Sequence, residues 1–336
     1  MVFNYNIHGL VTICSDRSLA IDNIELPDVF LVEDIEDPDI IIKIKEIDPK
    51  GFVSAERVGD KFRWDGETLY LNWGAPSIFN LSAAIKGLEC DKTELTFSPF
   101  FWKFGNVSHI IGSSISIHLL KHNVTPVHAA CISLNGQDIL ISGLSNMGKT
   151  STILNLLSHF PNSKLYADDT VILGENIAYS FPREVGISPE TDTGNIEMSS
   201  KSKFSKIFRD KVLKTPVISA FYNNRGSINL NQDIIGTSYP NQCYFLRDGP
   251  LGISELDSKE AAKLLFDSTQ TLTHFRANSH HSVATYSYIM KSKMDLHEYE
   301  VERRSIVDNF FADVQCYEIS SNKKGEFAQL IKDQLS

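Results

Sequence analysis

Apolar residues recur along this chain at two periods, and the switch between them marks out its organisation. Over residues 1–100 every second position tends to be apolar, most clearly in residues 5–13, 40–45 and 67–73, the pattern of half-buried strands. Asp65-Gly66 stands between two strand-like runs and predicts a hairpin. His8 falls inside the first run and reads as a strand residue, since nothing around it would make it a ligand. Farther on the period lengthens: Ile110, Ile111, Ile115, Leu119 and Leu120 form a stripe at helical spacing, which predicts a helix over 107–121 with Pro126 beyond its end.

A second hairpin is predicted around Asn135-Gly136, between residues 126–134 and the short apolar run 138–142. Ile153, Leu156 and Leu157 return to helical spacing directly afterwards. Residues 164–169 read as a strand ending in two carboxylates, residues 242–246 and 314–319 as further strands, and residues 258–266 as a helix capped by Ser258. The patterns divide the chain into a β-rich N-terminal domain, residues 1–100, and an α/β domain, residues 101–336.

Composition adds three constraints. With 336 residues, 42% hydrophobic and 22% charged, the chain is long enough for two packed cores. No apolar run approaches the roughly 18 residues of a membrane span, and the N-terminus lacks the basic start and apolar stretch of a signal peptide, so the expectation is a cytoplasmic protein without a membrane partner. The five cysteines, Cys14, Cys90, Cys131, Cys243 and Cys316, include no C-x-x-C pair and read as free thiols, with Cys131 and Cys316 buried as small hydrophobes.

Charge is unevenly placed. Residues 1–100 hold 18 Asp plus Glu against 9 Lys plus Arg, a net of −9 out of −10 for the whole chain. That acidity excludes nucleic acid as the partner of the N-terminal third, because phosphate backbones are bound by clustered Lys and Arg.

The candidate chemistry sits where the second hairpin meets its helix. Gly143-Leu144-Ser145-Asn146-Met147-Gly148-Lys149-Thr150, followed by Ser151, matches the phosphate-binding pattern G-x-x-x-x-G-K-[ST] in full, in the required order of strand, loop and helix. In such a loop the glycines let successive N–H groups turn toward phosphate oxygens, Lys149 reaches the β- and γ-phosphates, and the Thr150 hydroxyl ligates Mg²⁺. Asn146 is tolerated within such a loop if its φ is positive. Asp168 and Asp169 follow only 19 and 20 residues after Lys149, placed to divide a metal-holding role from a proton-accepting one.

His128 ahead of the hairpin, the phosphate loop and Ala167-Asp168-Asp169 at this spacing resemble the catalytic core of the HPr kinase/phosphorylase family. The resemblance is specific over residues 126–175. It implies an α/β P-loop kinase core of the HPr kinase and phosphoenolpyruvate carboxykinase type, here behind a β-rich N-terminal domain where the family carries an α/β unit. It further implies ATP and Mg²⁺ as cofactors, serine in a peptide or protein as acceptor, and a homo-oligomer, since the family is often hexameric. Carried over by position, Asp168 resembles the general base, His128 the residue assisting it, and Asp169 with Thr150 the metal shell. Arg183-Glu184-Val185-Gly186-Ile187 loosely echoes a second family signature and suggests Glu184 for the metal shell as well.

The proline- and arginine-rich loop tied to the reverse reaction has no match in the last hundred residues, so phosphorolysis is not expected. The pattern is closer to relatives that tailor ribosomally made peptides, such as lasso peptide kinases. A kinase of a small hydroxylated metabolite and a nucleotide-dependent switch with slow hydrolysis stay open as alternatives. ATP is favoured over GTP because Asn322-Lys323-Lys324-Gly325 lacks the aspartate of a guanine motif. Residues 188–195 read as a loop near the site, and residues 201–214, with six basic side chains and one acid, as a basic amphipathic helix.

Overall fold

Period-two alternation is realised as a nine-stranded sheet of β1 (Phe3–Ile7), β2 (Val11–Ser15), β3 (Leu31–Val32), β4 (Ile40–Ile44), β5 (Glu56–Val58), β6 (Phe62–Trp64), β7 (Thr68–Asn72), β8 (Ser82–Lys86) and β9 (Thr93–Phe97). Their spatial order is β3-β1-β2-β4-β9-β8-β7-β6-β5. The run expected as one strand over 5–13 is two, β1 and β2, paired antiparallel from Phe3↔Ser15 to Ile7↔Val11. His8 (φ +55°) and Gly9 (φ +72°) make the turn between them, so His8 is a turn residue whose ring meets Phe30 edge-on at 5.3 Å. The Asp65-Gly66 hairpin forms as expected: Asp65 Oδ1 accepts from the N–H groups of Glu67 and Thr68 between β6 and β7.

This computed structural model describes residues 1–20, 26–47, 54–72, 81–160, 162–182, 185–187, 226–228, 235–271 and 281–335. The architecture is mixed α/β, in two units: Met1–Pro126 with Leu272–Ile306, and Val127–Thr271 with Val307–Ser336. The boundary expected near residue 100 therefore lies at 126. The physical reason is the helix over 107–120. After α1 (Pro99–Phe104), α2 (Val107–Leu120) buries every residue but His109, its Ser113, Ser114, Ser116 and His118 included, and packs on β2 and β9. Two of its buried polar side chains find partners: His118 Nε2 lies 2.9 Å from Thr93 Oγ1 of β9, and Ser114 Oγ donates to the Ile110 carbonyl. Among the described residues no helix is long and apolar enough to cross a membrane.

In the second unit, which β10 (Thr125–Val127) leads into, the strands that matter are β11 (Ala129–Leu134), β12 (Gln137–Ser142) and β13 (Lys164–Ala167). Short strands follow as β14 (Val171–Leu173), β15 (Ala178–Tyr179), β16 (Val185–Ile187), β17 (Gly226–Ile228) and β18 (Thr237–Ser238), then β19 (Gln242–Arg247), β20 (Gly252–Leu256) and β21 (Gln315–Ser320). The main sheet runs β13-β11-β12-β19-β21-β20. β11 and β12 are the expected hairpin, and β12, β19 and β21 are parallel neighbours.

Helices cover both faces of that sheet, which is why its strands read as unbroken apolar runs. On one face Ile132, Ile139, Ile141, Tyr244 and Ile319 pack with α3 (Lys149–His159) and the C-terminal helix, through Ile153, Leu154, Leu156, Phe327 and Ile331. On the other, Cys131, Leu140, Cys243 and Cys316 pack with α4 (Ser258–Thr269) and with Val307, Phe310 and Phe311. The cap of α4 is Asp257 rather than Ser258; its Oδ1 accepts from the N–H groups of Lys259 and Glu260. Two more helices, α5 (His281–Met290) and α6 (Leu296–Phe310), precede the last strand, and α7 (Glu326–Leu335) ends the chain. Burying side chains such as Phe327 and Ile331 contributes roughly 1.5–3 kcal/mol each, so α7 is held firmly against α3. All five cysteines are free thiols, and Cys131, Cys243 and Cys316 are buried.

Candidate phosphate site

Because β12, β19 and β21 are parallel, their carboxyl ends open on one edge of the sheet, where α/β sheets take ligands. The loop from Gly143 to Gly148 lies there, between β12 and α3. Gly143 has φ +151°, and a Cβ on it would stand 2.9 Å from the Leu246 carbonyl oxygen, so only glycine lets the loop leave the strand this closely. Asn146 adopts the positive φ its place requires, +67°. Gly148 caps α3 with φ +100° and has no side chain to occupy the helix N-terminus, which leaves that end open to an anion. Leu144, Ser145 and Asn146 are exposed, Met147 and Thr150 partly so, and Ser151 is buried.

Lys149, the first residue of α3, points inward and is 7% exposed. Its ammonium donates to the Gly143 carbonyl at 2.8 Å, to the Leu144 carbonyl at 3.3 Å and to His128 Nε2 at 2.8 Å. Burial pushes its pKa down to about 8, with Asp169 and Asp168 pulling the other way. His128 is buried too. Burial is the main cause, and the Lys149 charge a second, of a pKa lowered to about 4 against the pull of Asp169. The imidazole is therefore neutral at neutral pH. With Nε2 accepting from Lys149, the remaining proton sits on Nδ1, which faces Asp169 Oδ1 at 3.3 Å without the alignment of a hydrogen bond.

The two carboxylates stand in different surroundings. Thr150, expected to share a metal with Asp169, donates from Oγ1 to Asp168 Oδ1 at 3.4 Å. Asp168 is buried, whereas the Asp169 side chain is 44% exposed beside His128. Both follow directly after β13, which pairs with β11 and so brings them next to the loop. No protein-family model matches this chain, and no curated protein matches it.

Three residues that support the site carried no signal in the sequence. The His128 N–H donates to Thr269 Oγ1 at 3.0 Å, and its carbonyl accepts from Ser142 Oγ at 3.1 Å, with Ser268 Oγ 3.3 Å beyond. The last turn of α4 thus holds the backbone of His128. Arg247 ends β19 and pairs with Glu318 at 3.1 Å. Glu184, the loop 188–195, the helix expected over 201–214, His274 and His280 lie outside the described residues, and His281 opens α5 in the other unit.

A divalent metal is tested by the donors present. Among the described residues no three His, Cys, Asp or Glu side chains form a cage of their own. Thr150 and Asp168 are hard oxygen donors in contact, which fits Mg²⁺, an ion that uses one or two protein oxygens and completes its shell with phosphate and water.

Proposed function

We propose that this chain is an ATP-dependent phosphotransferase of HPr kinase type that moves the γ-phosphoryl group to a hydroxyl, with serine of a peptide or protein as the acceptor. The observation that carries the reading is the line Lys149–His128–Asp169 behind a complete phosphate loop, with Asp168 on the Thr150 hydroxyl. A hydrolytic switch needs a positioned water; a kinase needs a base open to an acceptor, and Asp169 is the more exposed of the two acids.

In this reading the N–H groups at the start of α3 bind the phosphates, and Lys149 leaves its own loop carbonyls for them. Asp168 and Thr150 would hold Mg²⁺, which when bound would neutralise charge on the phosphates. Asp169 accepts the hydroxyl proton as the new oxygen–phosphorus bond forms and the bond to the bridging oxygen breaks, leaving ADP. Neutral His128 stands beside Asp169 without adding a competing charge. Serine as the acceptor comes from the resemblance, and ATP as the donor from the resemblance together with the absence of a guanine-motif aspartate in Asn322-Lys323-Lys324-Gly325.

The test is transfer from γ-labelled ATP with Mg²⁺ to serine-containing peptides, in wild type, Asp168→Asn and Asp169→Asn. The expected result is that Asp169→Asn keeps Mg²⁺-dependent nucleotide binding and loses transfer by about 10²-fold or more, while Asp168→Asn loses the Mg²⁺ dependence of binding. The opposite pattern returns the base to Asp168, and equal activity in all three overturns the mechanism.

A further inference from the structure

The turn after β21, which lacks the aspartate of a guanine motif, lies against the phosphate loop. A Cβ placed on Gly148 would stand 3.0, 3.3 and 3.5 Å from Cβ, Cγ and Cδ of Lys324. The aliphatic stem of Lys324 therefore runs over the residue that caps α3.

That placement is built rather than incidental. Ser321, 1% exposed, anchors the turn: its N–H donates to the Arg247 carbonyl, and its Oγ accepts from the Lys323 N–H at 2.9 Å and donates to Glu326 Oε2 at 2.6 Å. Glu326 also takes the Lys323 ammonium at 3.4 Å. α7, which starts at Glu326, packs on α3, so the turn and the phosphate loop are parts of one rigid layer. Lys323 thus pairs with Glu326 at the surface. Lys324, exposed, has no acidic partner among the described residues.

Sheet order says which part of a nucleotide Lys324 faces. His128, Asp168 and Asp169 lie beside β11 and β13, on one flank of β12; the Lys324 turn follows β21, on the other flank. The reacting phosphate belongs with the acids. On the nucleotide reading, the phosphates that are not transferred fall on the side of β19 and β21.

Resting on the nucleotide reading above, we infer that Lys324 is a second nucleotide-binding lysine, which contacts the phosphates that are not transferred. Its contribution is the same for ATP and ADP, so it acts on affinity and not on the chemical step. The long flexible stem lets the ammonium settle on a phosphate oxygen as a point charge.

The experiment is titration of the full-length protein with Mg·ADP and Mg·ATP, comparing wild type, Lys324→Met, which keeps the stem, and Lys323→Met as control, all with matched thermal midpoints. Lys324→Met is expected to bind both nucleotides about tenfold more weakly, the loss of one charged hydrogen bond to phosphate. That loss should shrink at high salt, and Lys323→Met should bind as wild type does. Unchanged affinity in Lys324→Met, or a loss confined to ATP, overturns the assignment while leaving the nucleotide site standing. Failure of the wild type to bind either nucleotide overturns the nucleotide site itself and this inference with it.

Discussion

Lys149 gives the site an energetic signature that can be measured without substrate. An ordinary lysine has a pKa near 10.5; burial brings this one down to about 8. Each unit is worth about 1.36 kcal/mol, so keeping the ammonium charged in the folded state costs about 3 kcal/mol relative to the unfolded chain. The sign follows from proton counting. Between pH 8 and 10.5 the unfolded chain holds the proton and the folded chain releases it, so the second unit gains stability as pH rises through this window, and below pH 8 the contribution is flat.

Lys149→Met removes the titrating group. At one pH the comparison also contains the lost packing and hydrogen bonds of the side chain, but the pH dependence of the difference reports only the proton that the lysine binds or releases, with the donor its amine loses on deprotonation included. Between about pH 7.5 and about pH 10.5 the difference should shift by about 3 kcal/mol in favour of the lysine protein. Tryptophan fluorescence cannot read this, because no tryptophan lies within residues 127–271 or 307–336. The assay is urea unfolding read by pulsed alkylation of Cys131, Cys243 and Cys316, buried thiols of the second unit whose pKa values burial raises. A difference that stays flat across the window would refute the buried, desolvated lysine and the line of contacts built on it.

Two further outcomes follow from single positions. Gly148→Ala forces a Cβ into a left-handed conformation and to 3.0 Å from Lys324 Cβ; it should cost about 1–2 kcal/mol of second-unit stability by the same alkylation assay and weaken Mg·ADP binding. His118 is held neutral by burial, with the Lys121 charge assisting, at a pKa of about 4; as pH falls from 6.5 toward 4 the unfolded chain takes the proton first and stability is lost, by up to about 3 kcal/mol. Tryptophan fluorescence in urea should show that loss in wild type and lack that component in His118→Gln.

The second unit was legible where a local rule applies. The hairpin around Asn135-Gly136, the loop from Gly143 to Thr150 and the strand ending at Asp168 each carry their own turn or ligand chemistry in a few adjacent residues, and Asn146 takes the φ its place demands. What could not be read depends on contacts distant in sequence. Thr269 and Ser268 reach His128 only because α4 folds back across the sheet, and Lys324 meets Gly148 only because α7 packs on α3. The helix over 107–120 showed an apolar stripe, but its serines and His118 are buried as well, through contacts that no periodicity reveals, and the helix falls in the compact unit of Met1–Pro126. His8-Gly9 escaped notice because apolar alternation continues on both sides of the turn and the pair is not one of the common hairpin dipeptides.

The measurement that bears most directly on the kinase reading is the fate of the γ-phosphoryl group. Full-length protein is given γ-labelled ATP, Mg²⁺ and a pool of serine peptides, and label is followed into peptide and into inorganic phosphate, with Lys149→Ala alongside. The account predicts label on a serine hydroxyl, located by mass spectrometry and lost in Lys149→Ala. Label appearing only in inorganic phosphate, at equal rates with and without peptide, would contradict it.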